Sequence, residues 1–281
     1  MRIWLVPLVL LLGACTTVER LYLPSAKVQD THWQQATAGT GAVDHGAWAV
    51  FLDRYVRQSP DGVHLVDYGA VTPADETALL GYLERLQAVK VTDLPRMEQL
   101  AFWINLYNAV TVRTVLEAYP VDSIRDISLG GVLSVGPWGE DLVTVEDRAL
   151  SLNDIEHKIV RPVFQDPRIH YALNCAAYQC PNLRAEPYRG AVLDAQLNAQ
   201  ARAYVNDPRG VTVKPDGDLV LSKIYVWFKE DFGGSEAVVL EHLSQYAEGP
   251  LFDTLTADPD IDDYVYDWSL NDAARLAAPG S

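Results

Sequence analysis

RMEQLAFWINLYNAVTVRTVLEA, residues 96 to 118, decides the fold. Leu100, Trp103, Ile104, Tyr107, Val110, Thr111 and Thr114 recur at steps of three and four, the period of a helix. Pro95 stands at its start, where a missing N–H costs nothing, and Pro120 follows its end. The segment is apolar nearly all round, which predicts a central, buried helix. Asn105 and Asn108 are the exceptions, three apart and therefore neighbours on one face. Buried amides need hydrogen-bond partners. They either brace adjoining loops or contact a ligand.

Working outward, Trp48, Phe51, Leu52 and Tyr55 give a helical spacing, and Leu79, Leu80, Leu83 and Leu86 mark a second helix over 75 to 90. Residues 142–145 and 149–150 read as short strands about a turn. Ser151 with Asp154 three residues on resembles a capped helix start, and Pro162 closes that helix. Residues 169–174, IHYALN, alternate as a strand does. A helix over 191–205, a hairpin of 211–213 and 219–221 around PDGD, a helix over 236–247 and a final strand or coil at 264–268 complete the pattern. Glycine-rich 130–139 matches no phosphate-binding spacing and reads as a loop. No repeat or mid-chain linker interrupts the chain. The expectation is one mixed α/β (α+β) domain over 44–271, with a central buried helix, a small sheet and a tail over 272–281.

The N-terminus reads MRIWLVPLVLLLGACTTVER. A positive residue, a short apolar run and small residues before a cysteine make a secretory signal peptide. The run is shorter than the roughly 20 apolar residues a spanning helix needs. Leu12-Gly13-Ala14-Cys15 resembles the bacterial lipobox, which implies cleavage after residue 14 and lipidation of Cys15. Several acyl chains anchor stably where one binds only marginally. Thr16 after the cysteine, by the same resemblance, favours the periplasmic face of the outer membrane. Residues 15–43, with TAGTGA at 37–42, read as a tether. The expected partners are therefore the membrane, through that lipid, and an envelope component as substrate or ligand. A formal charge of -16 over 281 residues argues against nucleic acid, and a hydrophobic content of 49% suffices for a real core.

FWINLYNA (102–109), SLNDIEHKIVR (151–161), IHYALNCAAYQCP (169–181) and YDWSLN (266–271) resemble the family of domains of unknown function called DUF547. The resemblance covers roughly residues 67 to 271. It implies domain boundaries much more than a mechanism, because the family is named for its lack of an assigned activity.

The densest cluster of reactive groups lies between Glu156 and Cys180. Cys175 follows the predicted strand at the mouth of a loop, a place where functional residues are often held on a rigid scaffold. A cysteine nucleophile needs a base that lowers its pKa. His157 is the candidate base, with Glu156 beside it, and Asn174 is a candidate oxyanion donor. His170 lies five residues before Cys175, about 16 Å away along an extended strand, too far for its ring to reach the thiol. His170, Asn105, Asn108, Asp267 and Trp268 are instead candidate ligand contacts.

A competing reading joins Cys175 to Cys180. A four-residue loop can bring two cysteines to bonding distance, and an oxidising compartment favours the disulfide. The spacing is not C-x-x-C, which disfavours a thioredoxin-like role. Adjacent Glu156 and His157 point about 100° apart on a helix and form no H-E-x-x-H motif, so no metal or cofactor is expected. Tyr225, Trp227 and Phe228 read as core, although they are also able to line a groove. Two functions remain open: a Cys/His-dependent hydrolase or acyl transferase, and a non-catalytic envelope lipoprotein closed by the disulfide.

Overall fold

The computed structural model describes residues 26–28, 30–127 and 136–277. The signal peptide, Cys15 and most of the glycine-rich loop lie outside the described residues. Helices α1 (Gly46–Tyr55), α2 (Pro73–Gln87) and α3 (Arg96–Ala118) come first, with a small ladder of β1 (Val56–Gln58) and β2 (His64–Val66) between α1 and α2. Helix α3 occupies the segment the spacing predicts. It ends at extended Tyr119 because the residue before a proline avoids the helical region. Its side chains are buried almost continuously from Glu98 to Val115, so it is the axis of the main core, with α2 packed along it.

The 3-10 turn Thr31–Gln34 packs onto this core. Trp33 is 4% exposed and meets Trp103 edge-on, with ring centroids 5.0 Å apart. Arg96 donates to the Trp33 carbonyl, and Gln99 Nε2 donates to those of Gln35 and Val91. The folded body therefore begins before residue 44, and much of the segment expected to be a tether is part of it.

Strands β3 (Val143–Val145) and β4 (Arg148–Leu150) form the expected short hairpin. Ser151 and Asp154 cap each other reciprocally: the Asp154 amide donates to Ser151 Oγ, and the Ser151 amide to Asp154 Oδ2. The helix does not stop at Pro162. Residues Asp154–Val160 form a π-helical turn that runs into α4 (Arg161–Phe164). The Arg161 amide reaches back five residues to the Glu156 carbonyl, and Pro162 takes the first turn of the next segment, where its missing N–H is tolerated. Such π turns often mark functional sites.

Residues 169–174 are not a strand. Asp166 caps a 3-10 turn, Pro167–Tyr171, by accepting from the Arg168 amide. Every residue from Ile169 to Asn174 is buried, so the alternation of types does not mark a one-sided strand. The extended-chain separation between His170 and Cys175 does not apply to this geometry.

Beyond it come α5 (Leu193–Val205), β5 (Val211–Val213), β6 (Leu219–Ser222), the short α6 (Ile224–Trp227), α7 (Glu236–Ser244), α8 (Gly249–Thr256) and β7 (Ile261–Val265). Strand β6 is central, antiparallel to β5 and parallel to β7. This sheet packs Val211, Leu219 and Leu221 against Tyr204, Tyr225 and Leu243 in a second apolar cluster. The Pro167–Tyr171 turn joins the two clusters, since Ile169 belongs to the first and Tyr171 to the second. Among the described residues no helix is long and apolar enough to cross a membrane.

One glycine closes the second cluster. A Cβ on Gly210 would stand 2.0 Å from the Tyr204 carbonyl oxygen, a contact that backbone must move to relieve. Gly210→Ala is expected to cost about 2–4 kcal/mol in urea unfolding. A loss below about 0.5 kcal/mol would show that this turn yields freely.

Candidate active site around the Cys175–Cys180 loop

The loop carrying both cysteines is braced from several sides. From α3, Asn108 Nδ2 donates to the Ala172 carbonyl at 2.9 Å, and its Oδ1 accepts the Asn174 amide at 2.8 Å. Three residues earlier on the same face, Asn105 does likewise for Tyr188, donating to its carbonyl and accepting its amide. Asn174 Nδ2 donates to the Pro181 carbonyl and its Oδ1 accepts the Ala176 amide. The carboxamide proposed for an oxyanion is thus spent on shaping the turn. Ala176 sits at φ 61, the left-handed region that costs a non-glycine residue energy.

The C-terminal segment straps the loop from outside. Ala176 accepts from the Asn271 amide, Tyr178 donates to Ser269, and Gln179 exchanges bonds with Asp267. Asp267 Oδ1 accepts from the Ser269 amide at 2.8 Å, so both candidates in this segment, Asp267 and Trp268, belong to a strap held on the cysteine loop.

Cys175 and Cys180 are joined by a disulfide, with Cα atoms 6.3 Å apart. Cys175 is half-buried, whereas Cys180 is 4% exposed. The Tyr266 hydroxyl lies 3.1 Å from Cys175 Sγ and 3.2 Å from Cys180 Sγ. Half-buried rings of Trp227, Trp268 and Trp138 continue outward from Tyr266, with successive centroids 4.7–5.7 Å apart. Trp227, read as core from its aromatic neighbourhood, packs partly buried against the second cluster and also joins this aromatic surface.

Behind the sulfurs lies a chain of titratable groups. Tyr107 donates to Glu156 Oε2 at 3.1 Å. Desolvation raises the Glu156 carboxyl, against the attraction of His170 and Arg161. Glu156 also acts electrostatically on Tyr266 and on His170. Burial pushes the Tyr107 and Tyr266 phenols well above their ordinary value.

The two imidazoles differ in what they are able to do. Arg161 Nη1 stands 2.9 Å from His157 Nδ1. A guanidinium only donates, so it occupies the ring's basic nitrogen. Burial, reinforced by Arg161, holds His157 down at about 3. His157 is therefore poorly suited to be the base expected from the sequence. His170 Nε2 faces Asp231 Oδ2 at 2.7 Å, and its ring stacks on Phe228 with centroids 4.0 Å apart. Burial lowers His170 and its Asp231 bond opposes that. Asp231 also takes two bonds from Arg161, at 2.6 and 3.2 Å. Burial would raise this carboxyl, but His170 and Arg161 outweigh it and hold it far below the usual range. An ionised Asp231 places the His170 proton on Nε2 and leaves Nδ1 basic.

Asp231, Tyr266, Tyr107 and Arg161 were not singled out from the sequence. Asp231 is 61 residues from His170, and no local pattern connects them. Among the described residues no group of three or more His, Cys, Asp and Glu is arranged to hold a metal ion.

Residues 91–205 match the family model described as a protein of unknown function, DUF547. No curated protein matches the chain, and neither does a solved structure. The match contains Glu156, His157, His170 and both loop cysteines. It is narrower than the span of the sequence resemblance, because Asp231, Tyr266 and the YDWSLN block lie beyond it. Over residues 91–205, then, the chain resembles the DUF547 family, whose description assigns no activity.

Proposed function

We propose that the protein is a hydrolase or acyl transferase of the cell envelope whose active form carries Cys175 as a free thiol. The observation that carries the reading is the buried His170–Asp231 pair, together with the Tyr266 hydroxyl that touches the sulfur of half-buried Cys175. An oriented imidazole and a carboxyl whose proton affinity burial raises are the acid–base partners acyl transfer needs. The disulfide is the resting state in this reading, and the half-buried aromatic surface receives the substrate.

The thiolate of Cys175 attacks an ester or amide carbonyl, forming a C–S bond as the carbonyl electrons move to oxygen. Collapse breaks the bond to the alcohol or amine, which takes a proton from Glu156. Water, or an acceptor amine, loses its proton to His170 and displaces the thioester, Cys175 leaves as thiolate, and the proton on His170 passes through solvent to Glu156 to restore both groups. Cys15 lipidation at the periplasmic face of the outer membrane supplies the setting. It is tested by the intact mass of detergent-extracted protein, which should begin at an acylated residue 15.

Reduced protein should hydrolyse p-nitrophenyl acetate, and Cys175→Ala should abolish the protein-dependent rate. His170→Ala and Asp231→Asn should each lower it about 100-fold or more, with circular dichroism unchanged. His157→Gln should lower it much less. Equal rates for Cys175→Ala and the unaltered protein would overturn the reading.

A second reading is favoured by the disulfide itself: a non-catalytic binding protein whose loop is closed by the bond. It predicts equal, purely destabilising effects of Cys175→Ser and Cys180→Ser, on the order of 2–4 kcal/mol.

A further inference from the structure

The disulfide is not symmetric in its surroundings. Cys175 Sγ belongs to the half-buried residue of the pair, and Cys180 to the buried one. The donors are also unevenly placed. The Cys175 amide donates to Cys180 Sγ at 3.0 Å, and the Tyr266 hydroxyl donates to the same sulfur at 3.2 Å. In a disulfide neither sulfur carries a proton, so Tyr266 is the donor in its contacts with both. Among the described residues only Cys180 accepts a backbone N–H in addition. That N–H is held in place, because its own loop is pinned by Asn108, Asn174 and Asn271.

In thiol–disulfide exchange one sulfur is attacked and the other leaves, and the leaving sulfur departs faster when its thiolate is stabilised. Access selects Cys175 as the sulfur attacked. The Cys175 N–H selects Cys180 as the sulfur that leaves, and the Tyr266 hydroxyl, within reach of both sulfurs, adds to the stabilisation of the departing thiolate.

We propose that this disulfide is an exchangeable one, opened by a dithiol of the envelope that attacks Cys175 Sγ and expels Cys180 as a thiolate held by the Cys175 amide and the Tyr266 hydroxyl. The partner's thiolate forms an S–S bond to Cys175 as the 175–180 bond breaks, and the electron pair goes to Cys180. The partner's second thiol then loses its proton and attacks the partner's own sulfur in the mixed disulfide. That step releases Cys175 as thiolate and leaves the partner oxidised. The two electrons come from the dithiol, and Cys180 recovers a proton from solvent. As the step that frees Cys175 for acyl chemistry, this inference rests on the proposed function for its purpose, but its direction depends on the disulfide alone.

The test uses the mature full-length protein in its oxidised form, with no acyl substrate. It is mixed with excess 2-mercaptoethanol, quenched in acid, denatured, alkylated with N-ethylmaleimide at low pH and mapped by peptide mass. The expected result is the mercaptoethanol adduct on Cys175 and the maleimide on Cys180. Reduction by dithiothreitol should slow about 5–10-fold in Tyr266→Phe, which removes one hydrogen bond to the leaving sulfur. An adduct on Cys180, equal adducts on both residues, or a native disulfide that resists thiol while the denatured protein reacts would each overturn the proposal. An unchanged rate in Tyr266→Phe would overturn the role given to that hydroxyl. A Cys175 adduct with no ester hydrolysis would sink the acyl chemistry and leave the exchange standing, and the converse pair of results would do the reverse.

Discussion

Asn108→Ala should lower the free energy of unfolding by about 2–5 kcal/mol, because it leaves two buried backbone groups without partners, each costing about 1–3 kcal/mol. Asn108 is 2% exposed. Its carboxamide is the partner α3 offers to the Ala172 carbonyl and the Asn174 amide, on the approach to Cys175. Water does not readily replace a carboxamide in the middle of a packed helix face. Asn108→Asp is a stringent control: it keeps an acceptor for the Asn174 amide but turns an oxygen toward the Ala172 carbonyl. It should be destabilised at least as much as the alanine variant. Urea unfolding at pH 7 reads both, and a loss under 1 kcal/mol for either would mean that the loop holds itself. Asn105, with its paired bonds to Tyr188, should behave in the same way without touching the cysteine loop.

Between pH 7 and pH 5 the protein should lose several kcal/mol of stability. Burial holds His45 down at about 4, His157 at about 3 and His242 at about 4, and it lowers His170 as well. In the unfolded chain an imidazole titrates near 6.5, so as pH falls below that value the unfolded state takes up protons that the native state refuses. Their contribution is whole above about pH 6.5 and shrinks as pH falls toward the native values, by roughly 2 kcal/mol per fully buried imidazole at pH 5. Glu156 acts oppositely: its raised carboxyl gives the native state the greater proton affinity, so acid relieves its burial. One carboxyl does not cancel three or four imidazoles. The depressed carboxyls of Asp75 and Asp231 enter only below about pH 4. Urea midpoints at pH 7.5 and pH 5 give the slope, and a flat response would contradict the burial of these rings as neutral groups.

What was legible in the sequence follows from how local each signal is. Helix α3 is carried by its own period and its flanking prolines, and the β5–β6 hairpin by the PDGD turn, so both appear where expected. The Ser151–Asp154 cap is a three-residue pattern and is equally plain. IHYALN misleads because buried residues on both sides of a 3-10 turn mimic the alternation of a strand. Pro162 misleads because a π turn lets a helix pass a proline that would end an ordinary one.

The site was half legible for the same reason. Cys175, Cys180, Glu156 and His170 stand in one stretch of chain rich in reactive groups. The residues that decide their roles come from elsewhere: Asp231 after α6, Tyr266 after β7 and Tyr107 from α3. His157 drew notice by standing next to Glu156, but an arginine one helical turn on occupies its basic nitrogen. Composition and spacing contain no record of that contact.

The central claim is that Cys175 is a nucleophile once its disulfide is open. The direct measurement is the peptide-mapped mass of native, reduced protein mixed briefly with p-nitrophenyl acetate and quenched in acid. The expected result is one acetyl group, on Cys175, absent from the oxidised protein and longer-lived in Asp231→Asn, whose weakened His170 base slows the step that removes it. An unacetylated Cys175, or labelling of Cys175 and Cys180 no faster than in the denatured chain, would contradict it.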